Sequence, residues 1–264
     1  MSDLRRYKIV SWNVNGIRSV VRKGFLDWLR KERPTVLGLQ EVRAELSQVP
    51  AELLAHKGYS LDFCHGKKRG YSGVATLSRV QPLSVITSLN ATIFDVEARM
   101  IVTEYPRFFV YNVYFPKGSG TARDNSRVPY KLEFYRALFA HAARWKRRFK
   151  KPLVVMGDFN TAHTDLDLTH PRANKNNSGY LAIEREDLSR HLERGFVDTF
   201  RHFHPARIEY SWWSNLPGAR ARNVGWRIDF VWVSSELLPF VKSAFIRSQV
   251  RGSDHAPVGI TLAF

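Results

Sequence analysis

Short apolar runs recur from one end of the chain to the other, each closed by polar or turn-forming residues. Tyr7–Val10, Thr35–Leu39, Val74–Leu77, Met100–Val102, Phe108–Val113, Leu153–Met156, Phe230–Val233 and Val258–Leu262 are rich in β-branched and aromatic residues and lie between turn signals, so they predict strands. Between them the spacing turns helical. Gly24–Lys31 places Phe25, Trp28 and Leu29 on one side, and Val128–Phe149 carries Leu132, Tyr135, Phe139 and Ala142 on one stripe. The second segment ends in Lys146-Arg147-Arg148, ahead of Pro152. Cations favour a helix C-terminus, and that dipole role is the preferred reading of the cluster. No Gly/Ser-rich, Pro-rich or low-complexity tract divides the chain. The pattern predicts a single α/β domain over residues 1–264, built of two packed sheets with helices outside.

Charge adds a partner to this picture. The chain has 41 Lys+Arg against 24 Asp+Glu, a net charge of +17, and a field of that sign draws polyanions. Nucleic acid is the obvious one; an anionic membrane surface or plain solubility are the blander readings. Cys64 is the one cysteine, which excludes an internal disulfide and a cysteine-rich metal site and suits a reducing compartment. No signal-peptide stretch comes after the charges of Met1–Tyr7, and no apolar run approaches the ~18 residues of a membrane span, so the expectation is a cytoplasmic protein without a membrane segment.

The candidate chemistry lies at the ends of the apolar runs. Tyr7–Val10 leads into Ser11-Trp12-Asn13, Thr35–Leu39 into Gln40-Glu41, and Leu153–Met156 into Gly157-Asp158-Phe159-Asn160. Asp229 opens the Phe230–Val233 run, and Ser253-Asp254-His255 precedes the last one. Any one of these is ordinarily a turn cap. Together they assemble Asn, Glu, Asp and His at strand ends, where scaffolds carry function. They supply the groups that phosphodiester hydrolysis needs: oxygen ligands for a hard cation such as Mg²⁺, a group to orient water, and charge stabilisation.

These residues resemble a family, the exonuclease III type of abasic-site endonuclease within the endonuclease/exonuclease/phosphatase superfamily. The matching segments are Ser11–Arg18, Leu39-Gln40-Glu41, Arg69–Val74, Asn112–Pro116, Gly157–His163, Asn223–Asp229 and Gly252–Pro257, in family order over nearly the whole length. The resemblance implies a DNase I-like four-layer α/β sandwich, two packed mixed β-sheets flanked by helices, with the site at one end of the sheets. It implies that Glu41 is the main Mg²⁺ ligand with Asn13 close by, and that Mn²⁺ can substitute. Asp158 orients or deprotonates the attacking water, Asn160 holds the phosphate or that water, and both border the metal. His255, paired with Asp229, contacts the scissile phosphate; Asp254 sits beside the metal; Tyr114 donates to the phosphate or the leaving oxygen. The pairing of Asp229 with His255 raises the histidine pKa, and clustered carboxylates beside DNA call for a cation. The rival partner for Asp229 is Arg227.

The implied reaction is cleavage 5′ of abasic sites in double-stranded DNA, leaving a 3′-hydroxyl, with 3′→5′ exonuclease or cleaning of damaged 3′ ends, by a monomer. Arg18 and the loop Lys68-Arg69-Gly70-Tyr71 are candidate DNA contacts, as the glycine permits close backbone approach. Arg22, Lys23, Arg172, Lys175, Arg220 and Arg222 add positive charge collectively. Trp212, Trp226 and Ile228 are expected to line a pocket for a flipped-out deoxyribose without a base, which costs least to extrude. Asn174 is the candidate from an adjacent loop, and Trp213 is expected in the core. Asn15 stands where certain relatives have Asp, and Lys117 where relatives often have Asn or Gln; the lysine either binds phosphate or points to solvent. The alternatives are a superfamily phosphodiesterase acting on RNA or a phospholipid head group, and a non-catalytic DNA-binding protein.

Overall fold

The computed structural model describes residues 6–122 and 124–264. Its strands are β1 (Arg6–Asn13), β2 (Val36–Gln40), β3 (Ser60–Cys64), β4 (Val74–Ser78), β5 (Ser84–Ile86), β6 (Met100–Glu104), β7 (Phe109–Tyr114), β8 (Leu153–Asp158), β9 (Phe196–Asp198), β10 (Trp212–Trp213), β11 (Gly225–Trp226), β12 (Asp229–Ser234), β13 (Val241–Ile246) and β14 (Val258–Ala263). Its helices are α1 (Ile17–Arg22), α2 (Phe25–Glu32), α3 (Ala51–Leu54), α4 (Thr92–Asp95), α5 (Val128–Phe149), α6 (Pro171–Asn174), α7 (Ala182–Glu193) and α8 (Thr199–Phe203). All eight apolar runs become strands, and both helical stripes become helices. The strands that the pattern missed are short or at sheet edges. β3 and β5 contain no fully buried residue, so neither has a clean apolar face to read. α7 was missed for a similar reason: Leu188 is its one buried aliphatic side chain among many charges.

Two six-stranded sheets form, in the orders β13-β14-β1-β2-β4-β3 and β5-β6-β7-β8-β12-β9. Each contains one parallel pair, β1 with β2 and β7 with β8; the other pairings are antiparallel. A parallel pair needs a crossover. α1 and α2 provide it in the first sheet and α5 in the second.

The central strands are buried on both faces, which is why they read as continuous apolar runs. In β1, Ile9 points between the sheets and Val10 toward α1 and α2. In β8, Val154 and Met156 point between the sheets while Leu153 and Val155 pack under α5. The result is four layers, helix–sheet–sheet–helix, as the resemblance implied. Among the described residues no helix is long and apolar enough to cross a membrane.

Two glycines set how closely the strands of this core approach. A Cβ on Gly38 would lie 2.5 Å from Met156 and 2.7 Å from Asn112 of the facing sheet. Gly157 has φ +149°, and a Cβ there would lie 1.8 Å from the Val113 carbonyl oxygen, a backbone atom of the neighbouring strand. Gly157→Ala should therefore cost about 3 kcal/mol or more, lowering Tm by roughly 6–12 °C in thermal denaturation; a wild-type Tm would contradict this account of the β7–β8 contact.

Candidate active site

The ends of β1, β2, β7 and β8 meet at one edge of the paired sheets. Register brings Tyr114 opposite Asp158 and Asp158 opposite Asp229, so three candidate residues lie at one level across three adjacent strands. The first sheet contributes Asn13 and Glu41. Asn13 Nδ2 donates to Asp158 Oδ2 at 2.8 Å and to Glu41 Oε2 at 3.0 Å. One amide thus bridges a carboxylate from each sheet. Glu41 and Asn160 turn through left-handed backbone, with φ of +56° and +50°, directly after their strands. Such conformations cost energy and persist where the surroundings hold them. Asn160 is held by Lys131, whose Nζ donates to its carbonyl at 2.7 Å and to Glu184 at 2.6 Å, and its own amide donates to the Phe115 carbonyl at 2.8 Å.

His255 Nδ1 donates to Asp229 Oδ2 at 2.8 Å, and its Nε2 lies 3.9 Å from Asp158 Oδ2. Burial opposes protonation of this ring, but the charges of Asp229 and Asp158 outweigh it and raise its pKa. The histidine is a cation at neutral pH. Burial pushes Asp158 above the ordinary carboxylate range; His255 pulls it down and Asp229 pushes it up. Arg227 is not the partner of Asp229. Ser211 donates to Asp229 at 2.6 Å instead, and Asp229 Oδ1 is buried without a hydrogen-bond partner among the described residues.

Tyr114 is buried, and burial together with Glu41 raises its pKa well above the ordinary value, so its hydroxyl is a neutral donor. Its ring lies under Arg99, 4.7 Å from the guanidinium, which also donates to the Tyr114 carbonyl at 3.1 Å and to Tyr71 at 3.0 Å. Arg99, Glu97 and Arg127 form the bracket that joins the Tyr71 loop to Tyr114. The sequence reading missed this bracket. Arg99 merely precedes an apolar run, and nothing along the chain marks its partners.

A pocket of about 270 Å³ opens beside these groups, lined by Trp212, Trp226, Ile228, Asn174, Gly179, Lys117, Asn160 and His255, among others. The expected aromatic pair therefore faces the expected catalytic pair. Trp212 and Trp226 meet edge to face at 6.3 Å. Lys117 lies on the rim of this pocket. Trp213 is in the core, as expected. Arg18, Lys68, Arg69 and Gly70 are exposed outside the pocket, and Arg69 pairs with Glu45 at 2.9 Å. Arg220 is engaged within the protein. Its guanidinium donates to the Ser253, Ser248 and Val250 carbonyls and so shapes the loop before His255.

The residues fit a hard cation. Glu41, Asp158 and Asp229 are buried carboxylates at one cleft, faced by His255 and by Arg43, which pairs with Glu41. Asp158, Asp229 and His255 have potential ligand atoms within 4.8 Å of one another. Asp229 and His255 already bind each other, so the oxygen-rich side toward Asn13 and Glu41 suits Mg²⁺ better. Asp254 stands at the margin, engaged by Asn15 at 2.9 Å and Trp212 at 3.2 Å. At the position of Asn15 an Asp would repel Asp254, whereas the amide donates to it.

The chain matches the endonuclease/exonuclease/phosphatase family over residues 10–255, and it belongs to that family. It is 41% identical over 257 residues to an exodeoxyribonuclease of Bacillus subtilis (strain 168), covering 97% of this chain and 99% of that one. It is 40% identical over 260 residues to the DNA repair nuclease APEX1 of Danio rerio, covering 97% and 82%. A solved structure of an AP endonuclease from Archaeoglobus fulgidus superposes with a TM-score of 0.86 at 27% identity, covering 97% of this chain and 99% of that one.

Behind the pocket, Arg227 is buried between Asp167 (2.8 Å) and Asp198 (2.8 Å), and Arg201 reaches Asp167 at 2.6 Å. This clamp sets the segment that carries Trp226 and Ile228. Burial alone would raise the pKa of Asp167, but Arg227 and Arg201 hold it at about 2. A depressed folded pKa stabilises the protein above the unfolded pKa, and that stabilisation is lost as pH falls through the folded value. Urea unfolding should therefore show roughly 2 kcal/mol of stability lost through this carboxylate between about pH 5 and pH 2. Asp167→Asn should lack that increment; equal acid losses in both proteins would contradict the assignment.

Proposed function

We propose that this protein is a Mg²⁺-dependent DNA-repair endonuclease that hydrolyses the phosphodiester 5′ of an abasic site in duplex DNA, leaving a 3′-hydroxyl, and that it also trims 3′ ends. The observation that carries this reading is the Trp212/Trp226/Ile228 pocket, which opens directly onto His255 and Asn160 beside Asp158. The pocket of about 270 Å³, lined by two indoles, offers an apolar wall to an extruded deoxyribose, and a nucleotide without a base costs least to extrude. The relatives support the substrate class. The protein would act as a monomer.

Glu41, Asn13 and Asp158 would hold the cation, with Asp254 at its margin. Bound there, Mg²⁺ (or Mn²⁺) neutralises the phosphate charge and the developing charge on the leaving oxygen. Asp158 orients the attacking water and takes its proton as the oxygen adds to phosphorus. Asn160, locked in its turn, positions the phosphate or that water. Cationic His255, fixed by Asp229, donates to a non-bridging phosphate oxygen, where charge grows in the transition state. Tyr114, neutral and held by Arg99, donates to the phosphate or toward the departing 3′ oxygen.

The direct test is a labelled duplex with one abasic analogue beside the same duplex without it, in Mg²⁺ and in EDTA. A metal-dependent cut immediately 5′ of the lesion is expected; intact lesion DNA in Mg²⁺ would overturn the reading. Asp158→Asn should lower kcat by about 100-fold or more with KM changed by less than about 3-fold. A raised KM at unchanged kcat would remove Asp158 from the water. Trp226→Ala should reduce the preference for abasic over intact DNA by about 10-fold; equal loss on both substrates would mean that Trp226 only packs.

A further inference from the structure

The outer helical layer carries a cationic surface that the catalytic cleft does not use. From Arg136 to Lys151 the chain has seven basic residues and no acidic one. This stretch lies at the far end of the second sheet. Phe109 and Leu153 pair at the end opposite Tyr114 and Asp158, and the Phe109 ring packs on Trp145 and Phe149 at 5.5 and 5.6 Å. Five strand steps, about 17 Å, separate it from the cleft.

A helix dipole accounts for a cation or two in the last turn of α5. The surplus is larger. Lys146 has a partner in Glu236 at 2.5 Å, but Arg136, Arg144, Arg147, Arg148 and Lys150 form no ion pair among the described residues.

These cations border two grooves. Positions 136, 140, 143, 147 and 150 share one helical stripe, and Ala140 and Ala143 leave a trough of about 730 Å³ between α5 and α7. Its floor is Phe139, Leu153 and Phe196, and Arg136, Arg147, Lys150 and Arg194 edge it. Within it His191 lies face to face with Phe139 at 3.8 Å. His191 Nε2 and Asp187 Oδ2 are 3.5 Å apart, and both are buried without a hydrogen-bond partner among the described residues. On the other side of α5, Trp145 stacks on His141 at 5.3 Å in a groove of about 530 Å³ between Arg144 and Arg148, and Arg147 reaches both grooves.

We propose that this face is a second nucleic-acid site and that it takes a single strand. The phosphates lie along the unpaired cations, and unstacked bases enter the grooves, where the partly exposed rings of Phe196 and Trp145 give them apolar surface. A duplex keeps its bases stacked and leaves the grooves unfilled; an acidic peptide matches the charge but leaves the aromatic floors unused. One molecule thus holds a duplex lesion at one end and a single strand at the other.

The test is binding of a labelled oligothymidylate of about 12 nucleotides, followed by fluorescence anisotropy over a salt series. The full chain is used in EDTA, with excess unlabelled abasic-analogue duplex occupying the cleft. Arg144→Glu/Arg147→Glu/Lys150→Glu is compared with a charge-matched triple on exposed residues elsewhere, Lys57→Glu/Arg79→Glu/Lys242→Glu. The first should weaken binding at least about 10-fold and flatten the logarithmic salt slope by about 2. The matched triple should weaken it less than about 3-fold, since it removes only long-range field. Ala140→Trp, which fills the trough without changing charge, should also weaken binding. Cleavage of a short abasic duplex should stay at the wild-type rate in all three, which separates this site from the catalytic one. Equal weakening by both triples would overturn the proposal. So would an acidic peptide that loses binding in the first triple while oligothymidylate affinity is unchanged, which would make the face a protein-docking surface.

Discussion

At the functional edge one side-chain amide ties together carboxylates from both sheets. Asn13 reaches from the first sheet to Asp158 of the second and holds Glu41 with the same nitrogen. Two buried carboxylates on different sheets would otherwise repel one another at close range. The amide sets their separation without neutralising them, and so keeps a cleft that favours a cation. Much of the inter-sheet packing serves this spacing. Gly38 lets the sheets close onto Met156 and Asn112. One layer deeper, Gln40 donates to Ser11 at 2.9 Å and to Asn112 at 2.7 Å, a polar link across the same interface.

Charge is distributed in opposite senses inside and outside. The cleft gathers buried carboxylates, while the chain as a whole carries a net charge of +17. The outer field draws a polyanion to the surface. The inner carboxylates repel phosphate, and His255 beside them supplies an opposing positive charge. Buried ion pairs around the cleft serve geometry. Arg227 with Asp167 and Asp198, and Lys131 with Glu184, fix the backbone turns that present Trp226, Ile228 and Asn160.

The legible part of the fold was the part whose pattern depends only on local burial. β1, β2, β7, β8, β12 and β14 are buried on both faces, so their apolar runs announce them. β3, β5 and β13 are edge or half-exposed strands, whose identity depends on the neighbour they pair with. The candidate catalytic residues were legible because each adjoins a strand in a short motif and because those motifs match a family. Arg99, Glu97 and Arg127 were not, since each acts through a partner distant in the chain.

The sequence by itself determined the strand and helix periods, the basic charge, and the set of oxygen and imidazole groups at the strand ends, because these are properties of residue order. Only the tertiary structure decided that Asp229 pairs with His255 rather than Arg227, that Asn15 donates to Asp254, and that Arg220 donates to carbonyls of the loop before His255. It also decided that the basic end of α5 borders two grooves. Each of these is a choice among partners with similar chemistry. Such a choice is settled by which strands lie side by side and in what register, a constraint that residues far apart in the chain meet only when the sheets close.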